Sequence, residues 1–93
     1  MARVVHKYEV GFGQFARVDM PLGAKLLYVA GQPTRVGEAI FVWAEVDPTA
    51  ALTRRQIGYF ATGDRLPDDA EYVGTAITRG GASVWHVYER AVS

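Results

Sequence analysis

Residues 72–89 read YVGTAITRGGASVWHVYE, and the fold class turns on them. Two runs rich in β-branched and aromatic residues flank Gly80-Gly81, the pair that a two-residue type I′ hairpin turn requires, because both central positions need positive φ. Setting Arg79 opposite Ala82 fixes the register back through Thr78–Ser83, Ile77–Val84, Ala76–Trp85, Thr75–His86, Gly74–Val87 and Val73–Tyr88. One face then carries Val73, Thr75, Ile77, Val84, His86 and Tyr88. The other carries Gly74, Ala76, Trp85 and Val87, with the indole seated over small neighbours. A strand with one wet face alternates apolar with polar residues, and these strands do not. Either both faces are covered within the fold, or one lies against another subunit. Val73, Val84, His86 and Tyr88 are the candidate interface residues.

Upstream of the hairpin, residues 4–10 form a first strand ending at Gly11-Phe12-Gly13, and residues 15–20 alternate as a short exposed strand. Pro21-Leu22-Gly23 marks a turn, residues 24–30 a third strand, and residues 31–37, with two glycines and a proline, a loop. Residues 39–46 are the strongest strand, placing Ile40, Val42 and Val46 opposite Phe41 and Trp43. Asp47-Pro48 ends it, with one helical turn or loop through Leu52. A strand over 54–62 and a polar loop over 63–70 lead into the hairpin. About seven short strands in one domain spanning residues 1–93 predict an all-β fold, a small antiparallel sandwich or a partly open barrel.

Ninety-three residues, about half of them hydrophobic, support one modest core. Ten basic and ten acidic side chains cancel, so general attraction to nucleic acid or to an anionic membrane is not expected. There is no cysteine, which removes disulfides and thiolate chemistry and fits a reducing cytoplasm. The opening MARVVHKYEV lacks an apolar core for a signal peptide. No apolar stretch is long enough to span a bilayer as a helix. A soluble, cytoplasmic protein is the expectation.

The segments LGAKLL (22–27), VWAEVDP (42–48), TGDRLPDD (62–69) and YVGT (72–75), with the ending GGASVWHVYE (80–89), resemble a family of small bacteriophage proteins of uncharacterised activity. The resemblance runs from Lys7 to Glu89, and the ending, GGA-x-VWHV-[FY]-E, is its most specific part. The family's pattern carries a histidine where Asp64 stands and a shorter loop around residues 31–38. The first departure weakens any catalytic use of that position, and the second points to a locally tuned loop. The resemblance implies origin in a phage or prophage and action inside a bacterium, and it carries no activity across.

Catalytic and metal-binding patterns are thin. His6 and His86 are the only histidines and lack metal-ligand spacing, so no metal or cofactor is expected. His86, mid-strand opposite Thr75, reads as a hydrogen-bonded structural histidine. Asp64, Asp68, Asp69 and Glu71 lack the spacing of a calcium loop and read as a solvated turn. Ser83 is not in a nucleophile elbow, and it faces away from His86 in the hairpin register. Gly11-Phe12-Gly13 is too short for a dinucleotide fingerprint. Arg54, Arg55 and Arg65 are the candidate anion-binding residues, since arginine forks suit phosphate. Strand geometry sends Arg54 and Arg55 to opposite faces, and Arg55 is the one favoured to join Arg65.

The function favoured by this inventory is non-enzymatic: a phage-derived accessory protein that occupies a host or defence protein. The alternatives are an oligomeric protein sequestering a small anionic ligand such as a nucleotide, or a virion or assembly component. The surplus apolar residues also favour a homo-oligomer, a dimer first. In the competing monomeric arrangement, loops 31–37 and 63–70 fold over the outer face.

Overall fold

Strict alternation along residues 37–46, with Ile40, Val42, Ala44 and Val46 buried and Phe41 and Trp43 on the other side, makes this strand the centre of one sheet. The computed structural model describes residues 2–11 and 15–90; part of the Gly11-Phe12-Gly13 segment lies outside them. The described residues form seven strands, β1 (Val4–Val10), β2 (Ala16–Pro21), β3 (Lys25–Thr34), β4 (Gly37–Val46), β5 (Leu52–Ala61), β6 (Ala70–Thr78) and β7 (Ser83–Arg90). They pair antiparallel as a three-stranded sheet, β1-β4-β3, and a four-stranded sheet, β2-β5-β7-β6. The result is a small all-β sandwich. No helix among the described residues is long and apolar enough to cross a membrane.

The core lies between the sheets. Val10, Val29, Ile40, Val42, Ala44 and Val46 face Val18, Met20, Ile57, Ala76 and Val87, with Trp85, Tyr59 and Tyr8 packed against them. Trp85 meets Tyr59 edge-to-face at 5.2 Å, and its indole N–H donates to Thr78 Oγ1 at 3.1 Å. That bond satisfies the one polar atom the side chain brings inward.

One flank of the sandwich is closed by glycines. A Cβ on Gly31 of β3 would stand 2.5 Å from the Thr78 methyl and 3.0 Å from the Ile77 carbonyl oxygen, and one on Gly74 of β6 would stand 2.9 Å from Val29 Cγ2. Residues 31–37 are therefore not the expected loop. Gly31, Gln32, Pro33 and Thr34 continue β3, and only Arg35 and Val36 turn the chain into β4. Pro33 is tolerated because β3 is an edge strand, where no ladder needs its missing N–H.

The hairpin register holds from Thr78–Ser83 to Gly74–Val87 and then slips, so that Tyr72 rather than Val73 faces Tyr88. Val73 is the extra residue of a β-bulge. The bulge turns Tyr72 outward onto the Tyr88 ring, 5.6 Å between centroids, and lets Val73 pack against the core. At the turn, Gly80 and Gly81 have φ of 63° and 99°, and the Ala82 N–H donates to the Arg79 carbonyl at 3.1 Å. Arg79 also has positive φ, 55°, and its N–H donates to Glu38 Oε1 on β4 of the facing sheet.

Replacing Gly80 and Gly81 together by alanine is expected to cost on the order of 1–2 kcal/mol through left-handed strain. An unchanged thermal unfolding midpoint would show that the turn adopts another form in solution. Gly31→Ala is expected to cost about 1–3 kcal/mol, because the contacted Ile77 oxygen is backbone and cannot rotate aside. A variant as stable as the parent would mean that the β3–β6 flank is looser than described.

Candidate functional site

The three candidate anion-binding arginines do not converge. Arg54 lies on the outer side of β5, opposite Asp19, in a shallow groove with Arg17, Leu52 and Thr53. Arg17 donates to Asp19 at 3.0 and 3.1 Å, a bond that holds the Asp19 carboxyl below its usual pKa. Arg55 points the other way. Its Nε and Nη2 grip both carboxylate oxygens of Glu89 and its Nη1 donates to the Ala24 carbonyl at 2.9 Å. The hydrogen bond to Glu89 raises the guanidinium pKa further. Both side chains are mostly shielded, and two carboxylates, Glu71 and Glu89, share that recess with Arg55. Arg65 stands in the turn after β5 between Asp64 and Leu66, which line a cleft with His86 and Tyr88 on the outer face, whereas Arg55 is held on the inner side by Glu89 and Ala24. The expected Arg55–Arg65 pairing is replaced by an internal ion pair.

Of the candidate interface residues, Val84, His86 and Tyr88 share the outer face of the four-stranded sheet, while the bulge removes Val73 from it. That face carries a row of rings crossing the sheet: Phe15–Phe60 at 5.5 Å, Phe60–Tyr88 at 6.1 Å and Tyr88–Tyr72 at 5.6 Å. Phe60 is only 2% exposed although it lies outside the core cluster. Phe15, Tyr88 and the turn after β5 cover it, and Tyr88 stands across from Gly58, whose missing side chain makes room. Sequence reasoning named Tyr88 but not its alignment with Phe60 and Phe15. The bulge that brings Tyr72 into line had no signal in the composition.

Parallel to the rings runs a polar chain. The Tyr72 hydroxyl meets Thr75 Oγ1 at 2.6 Å, Thr75 Oγ1 meets His86 Nδ1 at 3.4 Å, and His86 Nε2 meets Thr62 Oγ1 at 2.9 Å. The imidazole is fixed from both sides, as expected of a structural histidine. Ser83 lies by Trp85 in a separate recess. Beyond the polar chain, toward the hairpin tip, Ile77 and Val84 stand opposite each other, 59% and 36% exposed, and Tyr72 at the other end is 60% exposed.

The turn after β5 does not gather its acids. Asp64 Oδ2 accepts the Ala61 N–H at 2.9 Å, and Asp69 pairs with Arg90, whose guanidinium lies over the Phe15 ring at 5.7 Å. Between this turn and the sheet opens a cleft lined by Phe60, Thr62, Asp64, Leu66, His86 and Tyr88. The arrangement offers shape, apolar surface and one exposed carboxylate, a set suited to binding.

Compared with known proteins, a family model described as a domain of unknown function, DUF7352, matches residues 1–93. No curated protein and no solved structure matches the chain.

Glu89→Gln removes the charge facing Arg55 and is expected to lower stability by roughly 1–2 kcal/mol, the scale of a partly shielded charge-assisted pair. Chemical denaturation of the two proteins measures the difference. Equal midpoints would show that solvent breaks this pair.

Proposed function

The chain belongs to the DUF7352 family, and from that premise we propose that it is a non-enzymatic binding protein acting by occupying another protein. The observation that carries this reading is the outer face of the β6–β7 hairpin. Ile77, Val84 and Tyr72 stay exposed there beside a row of rings in which Phe60 is buried and Tyr88 half-buried. Aromatic residues and exposed apolar patches of this kind are what protein interfaces use. The phage resemblance supplies the setting: an accessory protein in the bacterial cytoplasm directed at a host or defence component. In the absence of a partner the same patch pairs two copies, since a symmetric contact is the commonest way to cover it. Nucleotide sequestration draws no support from the geometry, because Arg54, Arg55 and Arg65 lie apart and Arg55 is engaged by Glu89.

Affinity capture from bacterial lysate is expected to recover one dominant protein with the parent chain. The double variant Ile77→Glu, Val84→Glu should lose it while keeping its thermal midpoint. Retention by that variant would move the contact elsewhere. Light scattering at micromolar concentration should give twice the 10.2 kDa chain mass. A 10.2 kDa species with no dominant partner would overturn the binding reading.

A further inference from the structure

The cleft between the 62–66 turn and the sheet has the dimensions of a socket for one side chain. It encloses about 230 Å³, below the roughly 300–1,000 Å³ of sites that hold drug-sized ligands. Its floor and walls are Phe60, Leu66 and Tyr88, and its one formal charge is Asp64. The Ala61 N–H anchors Asp64 through Oδ2, and among the described residues Oδ1 has no recorded partner. A carboxylate has about four lone-pair sites, so most of its accepting capacity is unspent. No lysine or arginine lines the cleft. Hydroxyls lie within hydrogen-bond reach of both His86 ring nitrogens and hold the imidazole as a wall.

We propose that this cleft receives an arginine side chain presented by a protein partner. A guanidinium is planar and weakly hydrated. It stacks on ring faces and offers parallel N–H donors to a carboxylate. Lysine supplies the charge without the flat surface that the half-buried Tyr88 ring favours. A phosphate would be repelled by Asp64, and a neutral apolar group would shield that carboxylate with no counter-charge. The inference rests on the binding-protein reading and names its partner's chemistry. His86, which lines the cleft, lies one row along β7 from Val84, on the same face as the Ile77–Val84 patch, so one partner surface covers both. Arginine is among the residues that most often carry interface binding energy.

The test is an amide NMR titration of the whole chain with N-acetyl-arginine N-methylamide, against its citrulline and lysine counterparts and unblocked arginine. The blocked arginine is expected to shift amides over residues 60–66 and 86–88 saturably, with a dissociation constant on the order of millimolar. Citrulline, which keeps the shape but not the charge, should bind roughly three- to fivefold more weakly, the scale of one exposed ion pair. Asp64→Asn, whose amide oxygen can still accept the Ala61 N–H, should show the same loss at an unchanged thermal midpoint. Equal responses to citrulline or lysine, an unaffected Asp64→Asn protein, or no saturable shift would overturn the proposal. Tighter binding of unblocked arginine would make the cleft a free amino-acid site and overturn the protein partner. Capture through Ile77 and Val84 is a separate readout, so the socket can fail while the reading beneath it stands.

Discussion

The sandwich depends on one close approach, β6 against edge strand β3, where each strand seats a side chain directly on a glycine of the other. Gly31 accepts the Thr78 methyl and Gly74 accepts Val29, each at distances that a Cβ would forbid. The arrangement is reciprocal, since each glycine receives a side chain carried by the other strand. Drawing that flank together buries Ala76 and Val87 under the other sheet and sets the depth available to Trp85 and Tyr59. On the opposite flank β1 and β2 touch only lightly, and Val4 and His6 remain exposed. Among the described residues the sandwich is therefore packed more closely on the β3–β6 side than on the β1–β2 side.

Most of the fold was legible because period-two alternation is a local signal. Ile40, Val42 and Val46 declare the inner face of β4 without reference to anything distant, and Gly80-Gly81 fixes the register of the strands on either side of it. What escaped was decided by neighbours far along the chain. Nothing in GQPTRVG distinguishes a loop from an edge strand until Thr78 and Ile77 are seen to need the space over Gly31. The slip at Val73 likewise follows from competing demands, Gly74 inward on Val29 and Tyr72 outward on Tyr88. The site was legible in part: His86, Val84 and Tyr88 share a face as their spacing predicts. The ion pair of Arg55 was not legible because its partner, Glu89, lies 34 residues away, beyond any spacing rule.

Part of the balance behind a formal charge of zero is local. Arg3 pairs with Glu45, Arg17 with Asp19, Arg55 with Glu89 and Arg90 with Asp69, and Lys7 rests its ammonium over the Phe41 ring at 4.7 Å. Charges cancelled over such short distances project little field into solution. Encounter with the proposed partner would then gain little from steering, and selectivity would rest on fit at contact. An arginine socket is consistent with that regime, because it rewards a guanidinium only after the surfaces have met.

The strand order also bears on how the molecule assembles itself. β3 with β4 and β6 with β7 are neighbours in sequence and can zip as local hairpins, whereas β1 must await β4 and β2 must await β5. β1 and β2 thus each wait across two intervening strands before a ladder can form, and they dock on different sheets. Pairings of long sequence separation slow folding and leave edges bare meanwhile. The β1–β2 segment must stay unattached until the strands ending at Val46 and Ala61 exist. Its Arg3, Lys7, Glu9, Arg17 and Asp19 are the kind of charged edge residues that keep such a segment from pairing with the wrong neighbour while it waits.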